Sequence, residues 1–85
     1  MLFKTPIEIE SIEDVAPGTL VYLKGIVSNE KELSFGKTFL VDKIPIFCTC
    51  SKKYENKRVE ILGIVENYYE LRVKTLEIRV YPEEE

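Results

Sequence analysis

The stretch that decides the fold occurs twice in this chain. Residues 21–27 read VYLKGIV and residues 59–65 read VEILGIV, so both copies have the form V-x-[LI]-x-G-x-V. Apolar residues at every second position, many of them β-branched, predict a strand with one buried face. A glycine within such a strand usually marks a bend or a bulge. The two copies therefore predict two long strands, bent at Gly25 and Gly63.

Two bent strands are what a small closed barrel needs at its corners. At 85 residues the chain is expected to form one domain with a thin core. The repeat does not indicate a solenoid, because there are two copies and the remaining sequence does not repeat. The repeated phrase is therefore interpreted as two strands that meet the same demand for curvature.

The next segment, residues 37–50, reads KTFLVDKIPIFCTC and predicts a β-hairpin with Asp42-Lys43 as its two-residue turn. This register places Val41 opposite Ile44. One face is then apolar throughout and holds Phe39, Val41, Ile44, Ile46, Cys48 and Cys50. The other face holds Thr38, Leu40, Pro45, Phe47 and Thr49.

The last strand is predicted within residues 70–81, with a change of face along its length. Leu71 and Val73 have one parity, whereas Leu76, Ile78 and Val80 have the other. A bulge near Lys74-Thr75 would bring both sets onto the core face. The connector of residues 50–58 is long enough for at most a turn or two of helix, and Pro17-Gly18 predict a turn before the first long strand.

The residues that usually carry catalysis are scarce. The chain has no histidine, the usual general base near neutral pH. Its two cysteines form a single C-x-C, which is a weak metal signal. We interpret Cys48 and Cys50 as small core residues, poorly placed on one strand for a mutual disulfide. No nucleophile elbow or phosphate-binding loop occurs. We expect no enzyme activity, metal or cofactor.

The composition is that of a globular protein, with 45% hydrophobic and 32% charged residues. No apolar run reaches the roughly 18 residues of a membrane span, and the start, MLFKTPIEIE, lacks the features of a signal peptide. We therefore expect a cytoplasmic protein with no membrane partner. Abundant Lys, Glu and Ile, without His, Trp or Gln, are typical of a thermophile.

The predicted order is three strands, a short connector and two strands. This order resembles the OB-fold family, as in single-strand-binding proteins, replication protein A and the anticodon-binding domains of some tRNA synthetases. The resemblance covers about residues 15–81 and rests on Gly18 and on residues 21–27, 39–42, 46–48, 59–65 and 68–73. It implies an all-β, five-stranded Greek-key barrel in which strands one and four pair. The connector of about eight residues replaces the helix usual between strands three and four.

The expected domain spans residues 1–82, with residues 1–14 as an extension that packs on the barrel. The segment MLFKTPIEI, residues 1–9, is a candidate to fill the bottom of the barrel in place of the missing helix. Residues 83–85 are expected to be a disordered acidic tail.

The resemblance also implies a binding surface. OB barrels bind single strands across strands two and three, between the loops that join strands one-two and four-five. The corresponding candidates here are Lys31, Lys37, Thr38, Phe47, Thr49, Lys52, Lys53, Tyr68, Tyr69 and Arg72. Phe47 is expected to project outward for base stacking. Lys37 has the parity of the core, so it lies at the rim or is redirected by a bulge at Gly36.

Charge is distributed unevenly along the chain. Residues 31–58 carry seven Lys or Arg and three acids, whereas the whole chain has a net charge of −3. The basic middle third coincides with the expected binding side, but the overall charge argues against strong phosphate binding. These features favour weak, salt-dependent, non-catalytic binding of single-stranded DNA or RNA.

An alternative function follows from the outward residues of strands one and four. We call Leu20, Ile26, Leu62 and Ile64 the outer stripe. Exposed apolar patches usually mark interfaces. The stripe is either covered by residues 1–10 or docks a protein partner or a second copy. In the latter case the chain is a small OB subunit that mediates assembly within a replication, repair or RNA-processing complex.

Overall fold

Six β-strands and no helix occur in residues 5–81, the part of the chain that the computed structural model describes. The strands are β1 (Ile7–Glu8), β2 (Leu20–Leu33), β3 (Gly36–Val41), β4 (Ile44–Cys48), β5 (Arg58–Tyr68) and β6 (Glu70–Val80). Strands β2–β6 are the five predicted strands, and β1 adds a short sixth. Within these residues, no helix is long and apolar enough to cross a membrane.

The sheet closes on itself in the expected way. The neighbour order is β2, β3, β4, β6, β5, and β5 returns to pair with β2. All of these pairs are antiparallel except β4 with β6, which is parallel. The first half of β2 pairs with β5 and the second half pairs with β3. The closed all-β barrel is thus confirmed.

The two repeated phrases lie side by side, with Val21 opposite Gly63 and Gly25 opposite Val59. Each glycine allows a close approach. A Cβ on Gly63 would lie 2.5 Å from the carbonyl oxygen of Lys74, and a Cβ on Gly25 would lie 2.6 Å from a carboxylate oxygen of Asp42. Gly25 also lies where β2 leaves β5 and joins β3. The expected bends therefore coincide with the tightest contacts of the barrel.

The β3–β4 hairpin has the predicted register. Val41 lies opposite Ile44, and the turn residues Asp42 and Lys43 have φ values of 50° and 74°. Positive φ at both central residues is the geometry of a type I′ turn, whose twist matches the strands. The predicted apolar face is buried from Phe39 through Cys48. The alternation of residues 38–48 thus fixes which side chains form the outer face.

A bulge in β6 brings its two halves onto the core, as predicted. Leu62 lies opposite Glu77 and Gly63 opposite Thr75, so Leu76 is the extra residue. Ile78 and Val80 pack against the core, as do Leu71 and Val73. Leu76 itself is 52% exposed. Its predicted core position is wrong because the extra residue of a bulge has no partner and leaves the sheet face.

The barrel end is filled by the connector and by residues that precede β2. Tyr54 from the connector and Ile12 are buried in the core, and Ile9 is packed against it. The Tyr54 ring lies 6.4 Å from the ring of Phe39. Strand β1 pairs in parallel with residues 21–22 of β2. Residues 1–4 of the suggested plug and the acidic tail at 83–85 lie outside the described residues.

The two cysteines form a disulfide, which corrects the expectation that they are poorly placed for one. Strand β4 ends at Cys48, and the chain turns so that the Cα atoms of Cys48 and Cys50 lie 5.3 Å apart. That separation is within the usual range for a disulfide. The apolar alternation of the sequence had predicted a strand that continues to Cys50, two residues beyond its observed end. Cys48 is buried in the core, as expected.

Candidate functional site

A groove of about 430 Å³ crosses the outer faces of β3 and β4. Its lining includes Lys31, Thr38, Leu40, Pro45, Tyr68 and Arg72. The hairpin register explains the floor, because Leu40 lies opposite Pro45 on the face away from the core. Thr38 adds a hydroxyl beside these two apolar side chains. The groove thus lies on the strands that the OB resemblance implies.

Two hairpins flank this groove. The β2–β3 hairpin pairs Leu33 with Gly36 and leaves Phe35 in its turn. Gly36 has φ +154°, and a Cβ there would lie 2.9 Å from Cζ of Phe47, so glycine lets the hairpin close onto that ring. The β5–β6 hairpin pairs Tyr68 with Glu70, and Tyr69 forms its tip with φ 65°. Each hairpin turn therefore carries an exposed aromatic ring, and Tyr68 of the β5–β6 hairpin lines the groove.

A row of stacked side chains joins the two hairpins. We call Phe35, Phe47, Arg72, Tyr68 and Tyr69 the stacking ladder. The Phe35 and Phe47 ring centroids are 5.9 Å apart. The guanidinium carbon of Arg72 lies 4.4 Å from the Phe47 centroid and 4.4 Å from the Tyr68 centroid. Tyr68 and Tyr69 meet edge to face at 4.8 Å.

The rings at the ends of the ladder are open to a ligand. Tyr69 is 95% exposed, Phe35 61% and Tyr68 52%. Phe47 lies on the outer strand face as predicted but is only 8% exposed. Its expected role as an open stacking surface is wrong because Phe35 and Arg72 cover its ring. Phe35 was missed, although an aromatic residue before Gly36 in the loop between strands one and two was a usable signal.

Arg72 is held on three sides. Its Nε donates a hydrogen bond of 2.6 Å to Oε2 of Glu66, its register partner across β5 and β6. Phe47 and Tyr68 contact its guanidinium from β4 and β5. The side chain is largely buried. Arg72 therefore lines the groove, but Glu66 already neutralises its charge.

Lys37 is not available to a ligand, so its prediction as a nucleic-acid contact is wrong. The side chain is buried on the core face of β3. Its Nζ donates to Oε2 of Glu30 at 2.6 Å and to the carbonyl oxygen of Lys52. A buried ammonium requires such partners, because an unpaired charge in the core is very costly. Lys37 thus acts as a structural cation below the groove.

Glu30 is the centre of this buried contact, which we call the Glu30–Lys37 clamp. Its other carboxylate oxygen accepts a bond of 2.9 Å from the backbone N–H of Tyr54. Burial raises the pKa of Glu30, but hydrogen bonds from Lys37 and Tyr54 and the Lys37 charge outweigh it, so the pKa lies below its usual value. The clamp ties the β2–β3 hairpin to the connector and so fixes one wall of the groove.

The other predicted site residues divide into two sets. Lys31 and Thr38 line the groove with Tyr68 and Arg72. Thr49, Lys52 and Lys53 are exposed but lie outside its lining. Lys53 instead lines a separate depression that also contains Glu32 and Glu55. The basic stretch of sequence therefore does not form one continuous basic surface at the groove.

The outer stripe is divided by charge. Leu20 lies opposite Ile64, and Leu62 follows in the next row, so these three half-buried residues form an apolar cluster. Strand β1 pairs with the edge of β2, and its residue Ile7 is exposed. Ile26 lies beyond a charged row in which Glu60 faces Lys24 and accepts a hydrogen bond from Arg79. The stripe is thus one cluster and one isolated isoleucine.

The described part of the chain contains no preformed metal site. Residues 5–81 contain no group of three or more His, Cys, Asp or Glu side chains arranged to hold a metal ion. What the groove offers instead is flat ring surfaces, a threonine hydroxyl and one exposed lysine. These groups suit the non-covalent binding of a planar, partly polar ligand.

Comparison with known proteins gives structural likeness without sequence likeness. No family model and no curated protein sequence matches the chain. A replication protein A heterotrimer bound to single-stranded DNA superposes with a TM-score of 0.65 and 15% identity, over 78% of this chain and 59% of that chain. RecJ from Thermus thermophilus, in complex with Mn²⁺, gives 0.64 and 17%, over 80% of this chain.

A third structure, an OBody bound to hen egg-white lysozyme, matches 98% of this chain and 100% of its own, with a TM-score of 0.70 and 16% identity. The chain spans only 12% of the RecJ chain and 59% of the replication protein A chain. At such identities the likeness concerns the fold. Together with the closed barrel and its strand order, it identifies this chain as an OB-fold.

Proposed function

We propose that this OB-fold binds single-stranded nucleic acid, DNA or RNA, in the groove between its two hairpins. The observation that carries the proposal is the stacking ladder, which shares Tyr68 and Arg72 with the lining of the groove and ends in exposed rings at the two hairpins. Base stacking on aromatic side chains contributes roughly 1–3 kcal/mol per base and tolerates any sequence. A replication protein A heterotrimer with the same fold is bound to single-stranded DNA, which supports the same ligand class here.

The bound strand is proposed to stack bases on Phe35 at one end and on Tyr68 and Tyr69 at the other. Between them the floor offers Leu40 and Pro45 for apolar contact and the Thr38 hydroxyl for hydrogen bonds. Lys31, which lines the groove, is proposed to contact the phosphate backbone. The protein acts as a binding module without catalysis, in the cytoplasm of a thermophile.

Binding is expected to be weak and to fall as salt rises. The net charge of −3 repels a polyanion, and Lys37, one of the candidate cations, is already paired with a carboxylate. Lys31 still releases counterions when it meets a phosphate, so salt weakens the complex. An affinity in the micromolar range or weaker is therefore expected.

A fluorescence anisotropy titration with labelled single-stranded DNA and RNA, at several salt concentrations, tests the proposal. Saturable binding that weakens with salt supports it, and a duplex of the same length serves as the control. Absence of binding to either strand at low salt contradicts it.

A second candidate function is protein assembly through the apolar cluster Leu20, Leu62 and Ile64. The three side chains adjoin on neighbouring strands, and β1 pairs with the edge of β2. A protein partner or a second copy would cover this cluster, as in a small OB subunit of a replication, repair or RNA-processing complex. The two functions use different faces and are compatible.

A further inference from the structure

The groove has few cations for a site proposed to bind a polyanion. Among its described lining residues, the cations are Lys31 and Arg72, and the carboxylates include Glu70 and Glu30. Arg72 is bonded to Glu66 and covered by two rings. Lys31 is exposed and forms no ion pair with a described residue. Lys31 is therefore the lining cation best placed for a phosphate.

The surroundings add little positive charge. Lys37 is buried and bonded to Glu30. Lys74 is exposed and is the register partner of Phe47, so it lies beside the ladder. Glu70, at the end of the β5–β6 hairpin, is exposed at the groove and repels phosphate. A strand in the groove thus meets Lys31 in the lining and Lys74 beside the ladder, on a molecule whose net charge is −3.

The stacking surface, in contrast, is extensive and held in place. Tyr68 has the Arg72 guanidinium on one side and Tyr69 at its edge, yet about half of it remains exposed. A ring that is already fixed loses less conformational freedom when a base stacks on it. Arg72 is therefore a positioning residue: it acts on the ligand through Tyr68 and Phe47.

From these observations we propose that the groove recognises the bases of a single strand and is nearly indifferent to the charge of its backbone. The ligand class is a single strand with unpaired, stackable bases, and a strand with an uncharged backbone would bind about as well as DNA. This inference rests on the proposed function and narrows it. It departs from the usual single-strand groove, in which a basic track along the backbone makes binding strongly salt-dependent.

The inference predicts that the affinity for single-stranded DNA depends only weakly on salt. Each phosphate contact on a single strand contributes about −0.7 to the slope of log affinity against log salt. Contacts from Lys31 alone, or from Lys31 and Lys74, predict a slope between about −0.7 and about −1.4. A site that used all the lysines of residues 31–58 would show a much steeper slope.

The experiment compares three labelled eight-residue thymidine strands at about 0.5 M salt, where counterion release from one or two phosphate contacts changes the affinity by less than about threefold. The first has normal phosphodiesters, the second has uncharged methylphosphonates, and the third has phosphodiesters but abasic sugars. We expect the methylphosphonate strand to bind within about threefold of the normal strand. We expect the abasic strand to bind at least about tenfold more weakly, because it offers no face for stacking.

Four outcomes would overturn the inference. A methylphosphonate strand at least about tenfold weaker than DNA, or a slope steeper than about −2, assigns recognition to the phosphates and leaves the proposed function intact. An abasic strand that binds as well as the normal thymidine strand also assigns recognition to the phosphates and leaves the proposed function intact. Failure of all three strands to bind overturns both this inference and the proposed function.

Arg72→Lys and Arg72→Ala provide the matched variants. Lysine keeps the charge but lacks the planar group that stacks between two rings. If Arg72 positions the rings, both variants weaken the normal and methylphosphonate strands alike, by several-fold, and leave the salt slope unchanged. Wild-type affinity in Arg72→Lys, or a slope about 0.7 shallower in Arg72→Ala, identifies Arg72 as a phosphate contact and overturns the inference. Thermal unfolding of both variants verifies that they are folded.

Discussion

At the scale of single residues, Lys37 illustrates how strand parity decides the chemistry of a side chain. The alternation of β3 places it with Phe39 and Val41 on the core face. A buried lysine needs an anionic partner, but the sequence does not name one. Glu30 meets it because the β2–β3 register shifts between Ser28 and Lys31, a bulge that includes Asn29 at φ 57°. The position of such a bulge depends on how the barrel closes. It breaks the apolar–polar alternation of the strand, so the sequence pattern does not predict it.

The clamp predicts a specific acid sensitivity. Because the pKa of Glu30 is lower in the folded protein, this carboxylate contributes stability that is fully present above its ordinary pKa of 4.5 and is lost as the pH falls through the folded value. Thermal unfolding of wild type should therefore lose stability below about pH 4.5. Glu30→Gln should be less stable at pH 7 and should lose less on acidification.

The matched control for the clamp is Glu60→Gln. Glu60 pairs with Arg79, which is exposed, in a surface ion pair of the kind that contributes little. This variant should keep the stability of wild type at pH 7 and its loss on acidification. An acid loss in Glu30→Gln as large as that of wild type would show that other carboxylates cause the sensitivity.

Phe35 and Phe47 are predicted to separate binding from stability. Phe35→Ala should weaken single-strand binding several-fold and change unfolding by less than about 0.5 kcal/mol, because its ring is exposed at a hairpin tip. Phe47→Ala should cost about 2 kcal/mol or more, because its ring is covered by Phe35 and Arg72. Urea unfolding and the anisotropy titration measure the two effects.

The double variant Tyr68→Ala, Tyr69→Ala completes this comparison at the opposite hairpin. It should weaken binding at least several-fold with little change in unfolding, since both rings are exposed. A large loss of stability without a loss of binding, in this variant or in Phe35→Ala, would mean that the rings serve packing and that the ligand binds elsewhere.

At the scale of strands and hairpins, alternation predicted most of the barrel. It located the Asp42-Lys43 turn and its register, because one wrong step would expose the whole apolar face. It also predicted the β6 bulge, since Val73 and Ile78 have opposite parity but both face the core. The exposed Leu76 could not be foreseen, because parity shows that an extra residue exists without showing which one leaves the sheet.

The stacking ladder was predicted only in part, and the reason is physical. Tyr68, Phe47 and Arg72 were recognised as site residues one by one, from their places on strands and loops. Their mutual stacking depends on β4 and β6 running in parallel side by side, although the two strands are far apart along the sequence. No local pattern encodes that contact. The same holds for Phe35, which reaches Phe47 through the close approach at Gly36.

The two glycines of the repeated phrase are predicted to differ in their tolerance of alanine. At Gly63 a Cβ would lie 2.5 Å from a backbone oxygen, that of Lys74, so a strand must shift. At Gly25 the nearest atoms are all side-chain atoms, of Asp42 in an exposed turn at 2.6 Å and of the buried Val41 at 2.8 Å, and side chains can move without a shift of the strand. Gly63→Ala should cost about 1–3 kcal/mol and Gly25→Ala less. Equal costs in urea unfolding would contradict this assignment.

At the scale of the whole molecule, sequence charge was a poor guide to surface charge. The middle third of the chain is basic, but folding pairs Lys37 with Glu30 and places Lys53 in a depression with three glutamates. Arg72, from the acidic last third, lines the groove together with Lys31. Charge counted along a chain predicts a binding face only if the segment stays together in space. In a barrel, neighbouring strands come from distant segments.

The last prediction concerns the apolar cluster, whose Ile64 lies two strands from Phe47 across β6 and β5, and which a second copy or another protein would cover. If a second copy docks there, wild type forms a dimer at high concentration, and Ile64→Glu is folded and monomeric because an unpaired charge is costly at an interface. Ile26→Glu is the control, since Ile26 lies across the charged row of Glu60 and should leave the mass unchanged. Light scattering and thermal unfolding distinguish the cases. A monomeric wild type at high concentration excludes self-association and leaves either a different protein or residues of the same chain to cover the cluster. A large loss of stability in Ile64→Glu, with no change in mass, would mean that the cluster is covered within its own chain.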